Sequence, residues 1–572
     1  MQVDGFNFEP FSQFPLFIRR QRQVPSSLAV GKSSAYPYAM ARKSGNSKAG
    51  GLRASRVRRD RYRKKYVDLL RASDEESLCR QVWAVSLLQE GKVKLAARHL
   101  AIPQEALGAR LGHQLHIPPW ILEAVINERL ILPPQRPRQR HGRERVLNQQ
   151  TFSSIHLVAQ LLRAAEDADQ GVLLARMDVL KELPRLIHRQ FEWGRGFMTG
   201  PQFYRWAYLY GGERNRTWFE TRHGLTIPDF ILVGIGLSMR FRTQLDIRPD
   251  IDLASIALSP AVGQAALRLL ARPLVEARLE AARLRTPFKA SLYRPSVLRD
   301  RPILTFGEGD SRRLRAPLPD LILLRVTAGL YYDLAGAPSH LRNEVGDRFE
   351  TYARDLLNAS LGGLTFSPGG KYRLAKRELD APDVICRQYE EIAAVFECKA
   401  RKMPFSARYG EAPEDEAGVT ELVKGVVQLW RYFAHHRLGF LPSDVIRADA
   451  VAVLLTLENW TQMNSDLQVA ILDRARTETR MDPHIRPEDQ RPIVFASIED
   501  IETTLSRTDA SGFLQALAQA SREKFTGWML PNLHRTVEAD KEHPYPLADR
   551  LSEVLPWLKS LRLDEVEEEP AP

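Results

Sequence analysis

The sequence predicts an α/β domain in the C-terminal part of the chain, behind a mainly α-helical N-terminal half. Two short apolar stretches around a polar break, followed by a longer apolar run at 448–457, predict neighbouring strands. Before residue 335, apolar residues recur mostly at helical spacing, for example at 156–168 and 260–285. A chain of 572 residues is too long for one ordinary hydrophobic core, so several domains are expected.

A β-hairpin is predicted at 383–399. Its first strand opens at Asp383, a polar break covers 389–391, and the second strand ends in Glu397-Cys398-Lys399. Because side chains alternate across a strand, Glu397 and Lys399 should share one face while Cys398 points to the other. Asp383, at the start of the neighbouring strand, can reach the face of Glu397.

Helices and further strands are predicted on both sides of this hairpin. The segment 343–357 places its apolar residues on one side of a helix, and 419–435 is amphipathic as well. In the second helix Lys424 and Gln428 lie four residues apart and therefore share a face. The run 448–457 is apolar enough for a strand buried on both faces, and 492–497 is a further strand candidate.

Two carboxylates and an amine on one hairpin suit metal-assisted phosphodiester hydrolysis. Mg²⁺ takes oxygen ligands and keeps several waters, so Asp383, Glu397 and a backbone carbonyl could hold it. Such a metal polarises a phosphate and lowers the pKa of a bound water, while the Lys399 ammonium can offset developing negative charge. The same residues also fit a surface ion pair beside a turn aspartate.

Pro382-Asp383 followed by Glu397-Cys398-Lys399 resembles the PD-(D/E)XK phosphodiesterase superfamily, the restriction-endonuclease-like fold, over roughly residues 335–500. The resemblance implies a mixed sheet flanked by helices and an Mg²⁺-dependent DNA endonuclease in which Mn²⁺ can substitute. It implies Asp383, Glu397 and Lys399 as catalytic residues. The biological setting expected for this activity is restriction or anti-phage defence, with repair or recombination as the alternative.

The same resemblance implies further roles around the hairpin. Glu350, on the first helix, would join Asp383 and Glu397 as a metal ligand, with Glu344 and Asp347 as rival candidates. Lys424 and Gln428, on the later helix, would support the site.

Charge and cysteine content restrict the function further. The net charge of +12 and the pI near 9.5 favour a polyanionic partner, which we expect to be DNA, with RNA or an anionic membrane surface as alternatives. The three cysteines are scattered and suggest neither a disulfide framework nor a zinc site, so a cytoplasmic location is expected. No apolar run is long enough to span a bilayer.

Residues 1–65 are predicted to be a disordered basic arm, and residues 1–39 lack the order of a secretory signal, so export is not expected. Translation is hypothesised to start at Met40, because the chain from there becomes a plausible basic arm that runs into a helix. A dense basic stretch in this arm could bind phosphates or could be a solvated face. The candidate phosphate contacts in it are Arg58, Arg59, Arg61, Lys64 and Lys65.

The next two segments also carry candidate nucleic-acid contacts. Residues 66–132 are predicted to be helical and to contain a helix-turn-helix, with Gln104 and Arg110 facing a groove, although two helices of a bundle give the same pattern. Residues 133–149 are predicted to be a basic linker in which Arg138 and Arg140 contact the backbone.

Residues 150–335 are predicted to be a mainly helical middle domain, with a less regular aromatic region at 191–219 that is either a core or a base-stacking surface. The nuclease-like domain covers 336–530, and 531–572 reads as a C-terminal helix and an acidic tail. Because the sequence has no phosphate-binding Gly-x-x-x-x-Gly-Lys-Ser/Thr loop, any unwinding would need a separate ATP-driven partner. A non-catalytic nucleic-acid-binding protein on the same fold is the alternative function.

Overall fold

The computed structural model describes residues 46–133, 139–140, 143–144, 147–174, 179–197, 199–256, 258–285, 293–335, 337–374, 376–409, 413–441, 445–461, 463–534 and 543–560. About 60% of the described residues are helical, and the helices accompany mixed sheets. This agrees with the predicted combination of a helical N-terminal half and a C-terminal α/β region.

The helices of the N-terminal half are α1 (Asn46–Arg71), α2 (Glu75–Gln89), α3 (Val93–Ala97), α4 (Pro119–Ile131), α5 (Phe152–Leu174), α6 (Val179–Arg195), α7 (Gly200–Tyr210), α8 (Glu213–His223), α9 (Ile227–Phe241), α10 (Pro260–Leu270), α11 (Leu274–Arg285), α12 (Asp320–Val326) and α13 (Leu330–Ala335). The helices that follow are α14 (Ser339–Ser360), α15 (Phe405–Tyr409), α16 (Ala417–Arg437), α17 (Ser465–Thr479), α18 (Ile498–Leu505), α19 (Ala510–Ala520), α20 (Leu530–His534), α21 (Leu551–Val554) and α22 (Trp557–Ser560).

The strands are β1 (Gln139–Arg140), β2 (Arg143–Glu144), β3 (Ala271–Pro273), β4 (Ile303–Phe306), β5 (Arg313–Arg315), β6 (Thr365–Pro368), β7 (Lys371–Leu374), β8 (Arg377–Asp380), β9 (Val384–Gln388), β10 (Glu391–Lys399), β11 (Ile446–Thr456) and β12 (Ile493–Ser497). They form a five-stranded sheet, a three-stranded sheet and two short hairpins.

The five-stranded sheet has the order β12-β11-β10-β9-β6 and is mixed. β9 pairs antiparallel with β6 and β10, whereas β10, β11 and β12 run parallel to one another. The predicted hairpin and the predicted strands at 448–457 and 492–497 are therefore confirmed. Tyr389 and Glu390 connect β9 to β10 with positive φ angles of 51° and 67°, as a two-residue type I′ hairpin turn requires.

Helices cover both faces of this sheet. Alternate residues of β10 are accordingly buried in two different apolar clusters, one on each side. Phe396 belongs to the same apolar cluster as Phe349 of α14. Val395 belongs to a second cluster that contains Val423 and Val426 of α16. The predicted helices at 343–357 and 419–435 thus exist as parts of α14 and α16 and lie on opposite faces of the hairpin.

The N-terminal half is mainly helical, as predicted, but differs in detail. The expected helical stretch at 260–285 is interrupted by β3, which pairs with β4. The expected irregular region at 191–219 is instead occupied by the end of α6, by α7 and by much of α8. Its aromatic residues Phe203, Trp206 and Phe219 are buried, which supports the interpretation as a core.

The expectation of a disordered arm is wrong for residues 46–65, which form most of α1. This helix is ordered by packing, since Tyr66 and Leu70 on one side are fully buried and α1 lies along α5. Residues 1–45, including Met40, lie outside the described residues.

The expectation of a helix-turn-helix is also wrong. After α3, residues 104–106 form a single 3-10 turn, bounded by extended backbone at Pro103 and Leu107. Gly108 and Gly112 follow with positive φ angles, so no second helix forms before α4. In the predicted linker, Arg140 lies in β1, whereas Arg138 lies outside the described residues.

One apolar core runs across the predicted domain boundary at residue 336. A single buried cluster joins Tyr66 of α1, Phe230 of α9, Phe396 of β10 and Leu555 near the C-terminus. Buried ion pairs reinforce this connection, because Arg408 contacts both Glu192 of α6 and Glu458, which follows β11.

At the C-terminal end, the predicted helix is reduced to the one-turn helices α21 and α22, and the acidic tail lies outside the described residues. In the part of the chain that the structure describes, no single helix has the length and composition of a membrane span. Only α8 and α9 taken together, with a 63° bend between them, meet that test.

Candidate functional site

The candidate site lies where β9 begins and β10 ends. Phe396 pairs with Val384 in the antiparallel ladder, so the preceding Asp383 stands opposite Glu397. Glu397 follows Val395 on the α16 side of the sheet, whereas Cys398 is buried in the cluster that also contains α14 residues. Lys399 bonds Gln428 of α16 and so lies on the same side as Glu397. The predicted alternation of Glu397, Cys398 and Lys399 is confirmed.

Hydrogen bonds hold the motif residues in place. The Lys399 ammonium donates to Oε1 of Glu397 over 2.6 Å and to Oε1 of Gln428 over 3.2 Å. The backbone N–H of Cys398 donates to Oδ2 of Asp383 over 2.6 Å. Gln428 of α16 therefore contacts the Lys399 ammonium, and the supporting role that the resemblance implies for it stays a prediction.

Burial makes the three carboxyl groups of the site hard to ionise. The side chain of Glu397 is 2% exposed, and burial together with the negative charge of Asp383 raises its pKa to about 8. Burial raises the pKa of Glu350 to about 7, with contributions from Asp383 and Asp347. The pKa of Asp383 is raised by burial, although the N–H of Cys398 opposes the shift. A nearby cation would therefore be stabilising at neutral pH.

Lys399 stays protonated in this setting. Burial alone would lower the pKa of its ammonium, but the charge of Glu397 and the hydrogen bond to it outweigh burial, so the pKa is raised. The site thus combines a positive charge with two carboxyl groups, Glu350 and Glu397, whose pKa values are raised to about 7 and about 8.

The donor set fits a hard divalent cation that keeps most of its waters. Oε2 of Glu397 is buried and has no hydrogen-bond partner among the described residues, which is costly unless another group occupies it. Asp383 and Glu397 would supply two carboxylates, the number that Mg²⁺ commonly takes from a protein. A group of three or more His, Cys, Asp or Glu residues with metal-binding geometry is absent from the described residues.

The residue that the sequence reasoning missed is Gly425 of α16. A Cβ atom there would lie 2.6 Å from Cδ1 of Leu454, 3.0 Å from Cε of Lys399 and 3.3 Å from Cγ of Glu397. Only glycine lets α16 approach β10 this closely. A glycine inside a helix is less favourable than an alanine, so the presence of glycine at position 425 was the sequence signal that another element approaches the helix there.

Gly425→Ala is expected to destabilise the protein by about 1–3 kcal/mol, because the added methyl group overpacks the contact between α16 and β10. Chemical denaturation would measure the loss. Gly346→Ala on α14 is the matched control, since a Cβ atom there meets nothing within 4 Å, and it should be neutral or slightly stabilising. Equal stability of the two variants would contradict the packing argument.

The remaining candidates near the site have other partners. Lys424 is 58% exposed and pairs with Glu421 rather than with the site carboxylates, so its predicted supporting role finds no contact here. Glu344 accepts the backbone N–H groups of Arg214 and Asn215 at the start of α8, which makes it a helix cap. Asp347 is exposed, and Glu350 is the residue of α14 that is electrostatically linked to Asp383.

The predicted nucleic-acid contacts divide into two groups. Arg58, Arg61, Lys64 and Lys65 are exposed on α1, whereas Arg59 turns toward Asp60 and Asp169. Gln104 and Arg110 are exposed as well, but the second helix that would present them to a groove does not form.

Comparisons of the chain with protein-family models, with curated proteins and with solved structures find no match. A functional assignment must therefore come from the geometry and chemistry of the site itself.

Proposed function

We propose that this protein is an Mg²⁺-dependent DNA endonuclease that hydrolyses phosphodiester bonds at the Asp383–Glu397–Lys399 site. The observation that carries the proposal is the state of Glu397. One of its oxygens accepts from Lys399, the other is buried with no hydrogen-bond partner in the part of the chain that the structure describes, and Asp383 stands beside it.

The arrangement of elements supports a restriction-endonuclease-like core. α14 precedes the sheet, the β9–β10 hairpin carries the motif, and α16 then leads into β11, which is parallel to β10. This is the order that the PD-(D/E)XK resemblance requires. The motif residues lie together on the hairpin and not on an unrelated surface.

In the proposed reaction, water adds across a P–O bond of the nucleic-acid backbone. A hydroxyl group joins phosphorus, and the departing sugar oxygen receives a proton. A cation held by Asp383 and Glu397, with Glu350 nearby, would supply charge neutralisation and a more acidic water.

The protein's own contribution is largely electrostatic. Lys399 places a fixed ammonium beside the carboxylates, where it can donate to a phosphate oxygen as negative charge grows. Gln428 restrains this ammonium through its side-chain oxygen, and Gly425 lets the helix that carries Gln428 approach closely. A restrained donor loses little entropy in the reaction.

DNA is proposed as the substrate because the chain carries a net charge of +12, and exposed basic residues cluster on α1. RNA has the same backbone charge, so substrate choice needs a direct comparison. An ATP-driven partner would be required only if the DNA had to be unwound.

Cleavage of supercoiled plasmid, linear duplex, single-stranded DNA and RNA tests the proposal, with Mg²⁺, Mn²⁺ or EDTA in parallel. We expect DNA cleavage that requires either cation and stops in EDTA. Cleavage of RNA but not of DNA would make RNA the proposed substrate in place of DNA. Absence of cleavage on all substrates, together with no Mn²⁺ binding, would favour the non-catalytic alternative.

A further inference from the structure

Helix α1 has two chemically distinct sides. Its inner side is fixed to the protein, since Tyr66 is buried and donates to Glu128 of α4, while Arg59 contacts Asp169 of α5. Tyr62 packs against the same core. The helix is therefore anchored to the protein between Arg59 and Tyr66.

The outer side of α1 is basic. Arg53, Arg61, Lys64 and Lys65 are exposed and recur at the spacing of one helix side, with Arg56 and Arg58 at its borders. None of these six forms an ion pair with another described residue. Arg61 stands three and four residues from Lys64 and Lys65, and such like-charge neighbours destabilise a helix.

This combination is unfavourable in the protein alone and is relieved by a polyanion. Asp60, which pairs with Arg59, is the one exposed acidic residue among the described side chains of α1, whereas a solvated helix surface normally mixes both signs of charge more evenly.

We propose that the outer side of α1 binds the phosphate backbone of double-stranded DNA. The inference rests on the proposed function for its choice of nucleic acid. The basic residues from Arg53 to Lys65 span about 18 Å along the helix, a length over which duplex DNA carries about ten phosphates.

The side-chain composition favours a duplex over a single strand. Binding of single strands relies on aromatic side chains on which bases stack. Both tyrosines of α1 belong to its inner side, and the outer side offers charge without rings. A straight, anchored row of charges matches the fixed phosphate rows of a duplex.

Fluorescence anisotropy with a labelled 20-base-pair duplex in EDTA tests the proposal, because binding is then separated from cleavage. The test protein carries Arg53→Ala, Arg61→Ala, Lys64→Ala and Lys65→Ala. The control carries four exposed substitutions scattered over other elements, Arg216→Ala, Arg312→Ala, Arg377→Ala and Arg480→Ala, which change the net charge equally. Circular dichroism verifies that both proteins are folded.

The α1 variant should bind about ten-fold or more weakly at 100 mM salt, and its slope of log K against log salt should be smaller by about 3. The control should remain close to the wild type. Equal salt slopes in the two variants would overturn the proposal, as would tighter binding of single strands or duplex RNA than of duplex DNA.

The outcome is separable from that of the proposed function. Suppose that the wild-type protein cuts nothing with Mg²⁺, and that the α1 variant binds DNA more weakly than the wild type. This result would support the binding surface and refute the nuclease. If the α1 variant cleaves DNA normally and its salt slope is unchanged, the nuclease would be supported and the binding surface refuted.

Discussion

Lys399→Ala and Asp383→Ala are each expected to lower the rate of DNA cleavage by about 10²–10³-fold. Lys399 is the only ammonium bonded to Glu397 in the described structure, and its loss removes the charge that would offset the transition state. Its removal also leaves Glu397 buried without its cationic partner. Asp383→Ala removes one of the two carboxylates of the proposed cation site. Single-turnover cleavage at saturating Mg²⁺ would measure both effects.

Lys424→Ala is the matched control for Lys399→Ala, because each change removes one ammonium: Lys399 contacts Gln428 in space, whereas Lys424 lies four residues from Gln428 on α16. Lys424 is exposed and pairs with Glu421, so we expect its loss to slow cleavage by less than about three-fold. If the two lysine variants cut at the same rate, Lys399 would not have the proposed role.

The second large effect concerns pH and stability in the absence of metal. An unfolded chain ionises Glu397 near its ordinary pKa of 4.5, whereas the folded protein holds the proton up to about pH 8. Between these values the folded state binds more protons than the unfolded state, so stability is present at low pH and is lost as pH rises. The loss attributable to Glu397 is at most about 4 kcal/mol at pH 8. Glu350, whose pKa is raised to about 7, shifts stability in the same direction.

Thermal unfolding in EDTA from pH 5 to pH 9 would measure this loss. Glu397→Gln should remove most of the slope, whereas Glu276→Gln, an exposed change on α11, should leave it unaltered. Added Mg²⁺ should restore stability at high pH, because a cation favours the ionised carboxylates. A metal-free protein whose stability rises steadily up to pH 8 would contradict the raised pKa of Glu397.

Local patterns in the sequence were sufficient for the hairpin and its neighbours. Alternation along 392–399 predicted that Glu397 and Cys398 occupy opposite faces, and helical spacing predicted the amphipathic helix that carries Gln428. These features depend on periodicity within one element, which a sequence displays directly.

The failures arose where tertiary contacts decide the structure. A basic composition suggested disorder at 46–65, but two buried residues beyond that stretch, Tyr66 and Leu70, hold α1 against α5. The helix-turn-helix was predicted from small and apolar residues, while the glycines at 108 and 112 end regular structure there. The close approach at Gly425 depends on Leu454, which lies in a strand distant in sequence.

The continuous core has a consequence for how a bound duplex would meet the site. Because Tyr66 of α1 and Phe396 of β10 belong to one packed interior, the distance between α1 and Lys399 is fixed by the fold. DNA held by α1 would then be offered to the carboxylates at a set number of base pairs from the point of attachment. The cut would lie at that fixed distance from wherever α1 is attached and, because backbone contacts read no base sequence, at no preferred position along the DNA.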